Sequence, residues 1–143
     1  YFRERLFCSA VHEDGAVDLL KYLSSKYTLC AASNGPYDQQ MNRLRVGEMI
    51  DYFDHCFISS QIGAQKPARQ FFDRCFSILR ESGLPDLAPE EVMIIGDSIS
   101  SDISGGIEYG IHTCLYQKNK IPERNNSGAD HVVGSLHDIK RIL

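Results

Sequence analysis

The sequence predicts an α/β fold of three layers, in which helices cover both faces of a parallel sheet. Short apolar runs alternate with stretches of helical periodicity along the chain, which is the pattern of such folds. The clearest run, residues 92–95, is continuous and apolar, as expected of a strand with both faces covered. Polar residues follow several of the runs, at the sheet edge where ligands bind in this class.

The first half of the chain predicts two helices and two strands. The first helix is indicated by four apolar residues that share one helical face: Ala16, Leu19, Leu20 and Leu23. A short apolar strand over residues 28–32 is then stopped by a strong turn signal at residues 33–36. Helical spacing returns over residues 38–50, and residues 56–58 form a second strand candidate.

The second half predicts three more strands and three more helices. Lys66-Pro67 is expected to open a long helix that ends near Ser82-Gly83, because proline is favoured at the first helical position. The strand at residues 92–95 is followed by a helix at 101–109, strands at 112–116 and 131–133, and a closing helix at 136–143. Residues 1–14 resemble the tail of a helix, so no strand is predicted before residue 28.

Composition excludes several classes of protein. The 143 residues include 15 basic and 19 acidic side chains, for a net charge of −4, which argues against a partner rich in phosphate backbone such as nucleic acid. No apolar run approaches the roughly 18–20 residues of a membrane span. The five cysteines are odd in number and widely spaced, which favours free thiols in a reducing, cytoplasmic compartment.

Three polar segments lie where predicted strands end or shortly beyond. Ser33-Asn34-Gly35 offers a hydroxyl, an amide and an unhindered backbone N–H, which suits phosphate oxygens, although a plain turn favours the same residues. Lys66 would place an ammonium beside a positive helix end; the alternative is a solvated surface lysine.

The third segment, from Gly96 to Asp102, is the most informative. A carboxylate at Asp97, directly after a buried strand, is suited to a hard cation such as magnesium, with open positions for water and phosphate. Asp102 can face the same crevice and anchor a lysine or a metal-bound water. The alternative is that Asp97 is an ordinary turn former and Asp102 a residue favoured by the helix dipole.

In this order, the three segments resemble the second, third and fourth motifs of the haloacid dehalogenase (HAD) superfamily. The resemblance extends over roughly residues 13–143 and points to the branch of phosphatases and nucleotidases with a cap inserted after the first motif. It implies a Rossmann-like core at residues 13–143, preceded by the trailing end of a cap helix or linker at residues 1–12.

By that resemblance, each segment acquires a role in phosphoryl transfer. Ser33 would bind the transferring phosphoryl group, assisted by Asn34 and Gly35. Lys66 would offset negative charge on the phosphate and on an aspartate nucleophile, Asp97 would bind Mg²⁺, and Asp102 would support Lys66 or the metal's water shell. Such roles agree with the physics of the reaction, which depends on positioning and charge neutralisation.

One departure from the family is serious, because its first motif, D-x-D-x-T on the central strand, is absent. The early aspartates are not in a D-x-D pair after an apolar strand: Asp14, Asp18, Asp38, Asp51 and Asp54. We therefore expect a sheet that lacks its first central strand, and a chain that is the C-terminal portion of a larger hydrolase and inactive alone.

The function expected of the intact protein is Mg²⁺-dependent hydrolysis of a small phosphorylated metabolite, with nucleotides among the candidates. A metal-independent 2-haloacid dehalogenase is the alternative within the family, although those enzymes typically lack the aspartate at position 97. A non-catalytic module that binds an anion or a partner is the alternative from another class.

Overall fold

The computed structural model describes residues 5–8, 16–117 and 127–143. Its centre is a six-stranded sheet in the order β3-β2-β1-β4-β5-β6, with every neighbouring pair parallel. The strands are β1 (Arg5–Cys8), β2 (Thr28–Ser33), β3 (His55–Ile58), β4 (Val92–Gly96), β5 (His112–Tyr116) and β6 (His131–Val133). The predicted α/β class and parallel sheet are confirmed.

Helices follow the strands as the alternating pattern predicts. They are α1 (Ala16–Ser24), α2 (Tyr37–Val46), α3 (Ser59–Ile62), α4 (Arg69–Glu81), α5 (Ser104–Tyr109) and α6 (Leu136–Ile142). A π-helical turn (Ile99–Ile103) leads into α5, and short 3-10 turns occur at Ile50–Tyr52 and Pro89–Glu91.

Two apolar clusters cover the two faces of the sheet. One contains buried residues of α1, α2 and α6 packed on strand residues such as Leu29, Ile58 and Ile95. The other packs the aromatic stripe of α4, including Phe71, Phe72 and Phe76, on Ala32 and Ile94. Adjacent strand residues, for example Ile94 and Ile95, therefore belong to opposite clusters, as the alternation of side chains along a strand requires.

The position of β1 corrects the prediction made for the start of the chain. Residues 5–8 are not the tail of a cap helix: they pair with β2 on one side and β4 on the other, in the central position that was expected to be empty. A gap there would leave the facing backbone groups of two strands unpaired, and this segment pairs with both. The rest of residues 1–12, and Asp14, lie outside the described residues.

The start of the long helix also differs from the prediction. Pro67 does not open it: Lys66-Pro67 is a cis peptide, and α4 begins at Arg69 after Ala68 in extended conformation. The N–H of Ala68 donates to the carbonyl of Gln65 (2.9 Å), so residues 65–68 form a turn instead of a first helical turn. Lys66 therefore lies in a loop rather than at the helix terminus.

Candidate active site

The predicted site residues lie at one edge of the sheet, where β2 and β4 end on either side of β1. Ser33 is the last residue of β2 and is buried, with Asn34 and Gly35 half-buried directly after it. Gly96 ends β4 and Asp97 follows it. Parallel strands bring their carboxyl ends to the same edge, which explains why segments distant in sequence meet here.

Lys66 extends into this edge from the loop between α3 and α4. It is 4% exposed, so it is not the solvated lysine that was the alternative. Its Nζ donates to the carbonyl of Ala32 (2.8 Å) and to Asp102 Oδ1, and both members of this ion pair are buried. An ammonium has three N–H bonds, so these two contacts leave one for a further acceptor.

Asp102 is held in place by the turn that carries it. The backbone N–H of Ser98 donates to Asp102 Oδ2 (3.3 Å), and the Ser98 hydroxyl accepts from the N–H of Ser101 (3.2 Å). Asp102 packs against Gly96, where a Cβ would lie 2.7 Å from Asp102 Cβ. The expected association of Asp102 with Lys66 is thus present in the geometry.

Asp97 differs from Asp102 in its surroundings. It is exposed, whereas Asp102 is 1% exposed. Its carboxylate therefore faces solvent at the end of β4, where a hard cation could reach it. Among the described residues, however, no group of three or more His, Cys, Asp or Glu side chains is placed to hold a metal ion.

The turn after β2 is more occupied than its sequence suggests. The N–H of Gly35 donates to the Ser59 hydroxyl (2.7 Å), and the side chain of Asn34 bonds to the backbone of Lys66. Phosphate binding by Asn34 and Gly35 remains a prediction, and two of their donors already have protein partners. Nothing in the sequence reveals Ala32 as a contact of Lys66, because the acceptor is a backbone carbonyl.

A buried thiol lies near the charge of Lys66. Burial raises the pKa of Cys75 far above its ordinary value, and the Lys66 ammonium offsets only part of that effect. Burial also raises the pKa of Cys56 and that of Cys114, the latter to about 12. Like Cys30, these three cysteines are thiols and not members of a disulfide, as predicted, and the three with raised pKa are protonated at neutral pH.

The central strand brings no carboxylate to this edge. β1 has the sequence Arg-Leu-Phe-Cys, so the strand that lies between the ends of β2 and β4 carries neither aspartate nor glutamate. The site therefore holds a lysine, a buried carboxylate partner, hydroxyl and amide donors, and an exposed carboxylate. Such a set can bind and neutralise an anion, but among the described residues it offers no carboxylate on the central strand to attack one.

The chain matches the HAD-hydrolase-like family over residues 63–139. It is 33% identical over 129 residues to the pyrimidine 5'-nucleotidase YjjG of Escherichia coli, covering 90% of this chain and 55% of that protein. It is 32% identical over 130 residues to the pyrimidine 5'-nucleotidase PynA of Streptococcus pneumoniae, covering 90% of this chain and 53% of that protein. The chain thus spans about half the length of these curated relatives.

Solved structures show the same fold. The candidate HAD-hydrolase YfnB of Bacillus subtilis, crystallised with magnesium bound, aligns with a TM-score of 0.78 at 31% identity, covering 92% of this chain and 55% of that one. An uncharacterised protein of Listeria monocytogenes aligns with a TM-score of 0.76 at 19% identity, covering 97% of this chain and 96% of its own. At that identity the likeness concerns the fold alone.

No helix among the described residues is long and apolar enough to cross a membrane.

Proposed function

The chain belongs to the HAD-like hydrolase family, and from that premise we propose that it is the phosphate-binding portion of a phosphomonoesterase. The proposed reaction is Mg²⁺-dependent hydrolysis of a small phosphorylated metabolite through an aspartyl-phosphate. The attacking aspartate would come from sequence outside these 143 residues, since neither β1 nor any other segment carries the D-x-D pair. Its strand would have to replace residues 5–8 between β2 and β4.

The observation that carries this proposal is the buried position of Lys66. An ammonium that is 4% exposed, with one N–H beyond its bonds to Ala32 and Asp102, is a fixed positive charge at the edge where substrates bind in α/β sheets. Transfer of a phosphoryl group requires this kind of preorganised charge, because negative charge is spread over the phosphate oxygens in the transition state.

The similar proteins support a phosphate ester as substrate. Beside the two pyrimidine 5'-nucleotidases, the chain is 26% identical to the glyceraldehyde 3-phosphate phosphatase of Pyrococcus furiosus. All three are named for action on small phosphorylated metabolites, which favours a phosphatase over a dehalogenase. We propose a nucleoside monophosphate as the first substrate to test, because the two nucleotidases are the more similar relatives.

The described residues fit magnesium only in part. Asp97 offers an exposed hard oxygen ligand, but the carboxylate of Asp102 is already engaged by Lys66 and by the N–H of Ser98. Magnesium is usually held by one or two carboxylates together with substrate phosphate and water. We propose Asp97 as one ligand and expect a second carboxylate from outside the chain.

The test compares the 143-residue chain with a longer version that includes an upstream D-x-D-x-T segment from the same reading frame. Both are assayed with Mg²⁺ on p-nitrophenyl phosphate and on nucleoside monophosphates, with release of phosphate as the measurement. We expect turnover only from the longer protein, and its loss in Lys66→Met and Asp97→Asn. Asp138→Asn, at a partly exposed carboxylate on α6, is the matched control and should retain activity.

Each other outcome points to a rival function. Robust Mg²⁺-dependent turnover by the 143 residues alone would contradict the proposed need for an external nucleophile. Dehalogenation of a 2-haloacid that persists in EDTA would identify a dehalogenase. A start codon in place of the upstream motif, together with anion binding but no turnover, would identify a binding module.

A further inference from the structure

The side chain of Asn34 forms two hydrogen bonds to the backbone of a single residue, Lys66. Asn34 Oδ1 accepts from the Lys66 N–H (2.9 Å), and Asn34 Nδ2 donates to the Lys66 carbonyl (3.1 Å). The two residues are 32 positions apart, so the contact joins the end of β2 to the loop that precedes α4. Asn34 is half-buried, which limits competition from water for these bonds.

These bonds use most of what an asparagine side chain can offer. The amide group has one carbonyl acceptor and two N–H donors, and the carbonyl and one N–H are engaged by Lys66. The carbonyl oxygen and one of the two N–H donors of Asn34 are therefore turned to the protein's own backbone. This differs from the role that the turn sequence predicts for Asn34.

The end of β2 thus holds both ends of Lys66. Asn34 fixes its backbone, while the carbonyl of Ala32, two residues earlier, accepts from its Nζ (2.8 Å). A lysine has a long flexible stem whose ordering costs side-chain entropy, and its ammonium is useful only if it stays in one place. The backbone and the ammonium of Lys66 are both bonded to the end of β2, which keeps the positive charge at a defined position relative to the sheet.

A second contact fastens the other end of the same loop. The Gly35 N–H donates to the Ser59 hydroxyl (2.7 Å) at the start of α3. The segment from Ser59 to Lys66 is therefore attached to the turn after β2 at both of its ends, once through each of two adjacent turn residues. Between these attachments most side chains are exposed, including Gln61 and Gln65.

We infer that Asn34 is a positioning residue that acts through Lys66 instead of a ligand of the phosphate. The inference rests on the proposed function only in taking Lys66 as the cation that meets the phosphoryl group. The hydrogen bonds join only groups of this chain. We therefore expect the loop bearing Lys66 to be ordered before substrate arrives.

The experiment measures Lys66 in the 143-residue chain without ligand. Amide hydrogen exchange of Lys66 and acetylation of its Nζ, mapped by mass spectrometry, are compared in wild type, Asn34→Ala and Asn34→Asp. Asn34→Ala should raise both rates by about tenfold, the effect of losing a hydrogen bond of ordinary strength. Asn34→Asp keeps the acceptor for the Lys66 N–H and should restore much of its amide protection.

Two controls separate positioning from a general loss of stability. Asn42→Ala removes an exposed asparagine from α2 and should leave Lys66 unchanged. Ile139→Val truncates a buried side chain of α6 and should raise exchange across the chain without favouring Lys66. Rates at Lys66 in Asn34→Ala that match Ile139→Val would overturn the inference. Because no phosphoryl chemistry is measured, failure of the proposed function would leave this result unaffected.

Discussion

Asp102 occupies the space that a side chain at Gly96 would fill. A Cβ built on Gly96 would lie 2.7 Å from Asp102 Cβ and would overlap the carboxylate more closely still. Asp102 is 1% exposed and bonded to Lys66, so it cannot move away without breaking that ion pair. The glycine at the end of β4 is therefore what permits the buried ion pair to form beside the strand.

We predict that Gly96→Ala destabilises the protein and separates Lys66 from Asp102. The added methyl group overpacks a closed site, which typically costs about 1–3 kcal/mol in the free energy of unfolding. Urea denaturation measures the loss, and acetylation of Lys66 should rise because its carboxylate partner is displaced. Gly47→Ala is the control: Gly47 has a φ of −77°, which alanine adopts readily. Equal destabilisation by both substitutions would contradict the prediction.

Removing one partner of the Lys66–Asp102 pair is predicted to cost more than removing both. Asp102→Ala leaves a buried ammonium without its carboxylate, a change that typically lowers the free energy of unfolding by about 3–5 kcal/mol. In the double variant Lys66→Met/Asp102→Ala no charge remains to be buried, so much of the loss should be recovered. Urea denaturation of the two single variants and the double variant gives the coupling energy.

The exposed ion pair on α6 provides the comparison. Arg141 Nη1 lies 3.8 Å from Asp138 Oδ1, and the Arg141 side chain is 76% exposed. Arg141→Ala should change the free energy of unfolding by less than about 1 kcal/mol, because solvent screens such pairs. Strictly additive losses for Lys66 and Asp102 would show that their contact contributes no coupling.

The sequence predicts those parts of the fold that local patterns determine. The apolar runs give β2 to β6 within about a residue of their observed bounds. The reason is clearest for β4, which is buried along most of its length, because a strand covered on both faces must be apolar throughout. The edge at which Ser33, Lys66 and Asp102 meet was predictable for a related reason: parallel strands end on one side of the sheet.

What could not be predicted depends on contacts distant in sequence. β1 is four residues long, and its three apolar residues fit the end of a helix as well as a short strand. Only its pairing with β2 and β4, which are distant in sequence, defines it as a strand. The hydrogen bonds of Asn34 with Lys66 and of Gly35 with Ser59 also join residues that are distant in sequence. A turn sequence reveals which groups can donate hydrogen bonds but not whether the protein itself already accepts them.

Glu48 is predicted to be a site where glycine stabilises the protein. It has a φ of 58° just beyond the end of α2, where the Met49 N–H bonds to the Leu44 carbonyl (2.9 Å). The left-handed conformation costs a residue with a Cβ about 1–2 kcal/mol, and glycine avoids that cost. Glu48→Gly should therefore raise the free energy of unfolding by about 1 kcal/mol, measured by urea denaturation. Glu48→Ala removes the charge but keeps the Cβ, and an equal gain there would contradict the explanation.

Two buried thiols are predicted to make the protein less stable in alkali. Burial raises the pKa of Cys114 from 9.0 to about 12 and also raises that of Cys75. Above pH 9 the unfolded chain releases these protons while the folded protein retains them, so unfolding becomes more favourable as the pH rises. Each thiol should lower the free energy of unfolding by about 1.4 kcal/mol per pH unit between pH 9 and pH 12.

Cys114→Ala isolates this effect from the titration of lysines and tyrosines. The variant leaves a small cavity and should be less stable than wild type at pH 7.5, where the thiol is neutral in both states. At pH 10 the Cys114 thiol is ionised in the unfolded wild-type chain but not in the folded protein, which lowers the free energy of unfolding of wild type. The variant has no thiol at this position, so the difference in free energy of unfolding between wild type and variant should shrink by about 1.4 kcal/mol. A difference that stays constant from pH 7.5 to pH 10 would mean that Cys114 ionises as readily in the folded protein as in the unfolded chain.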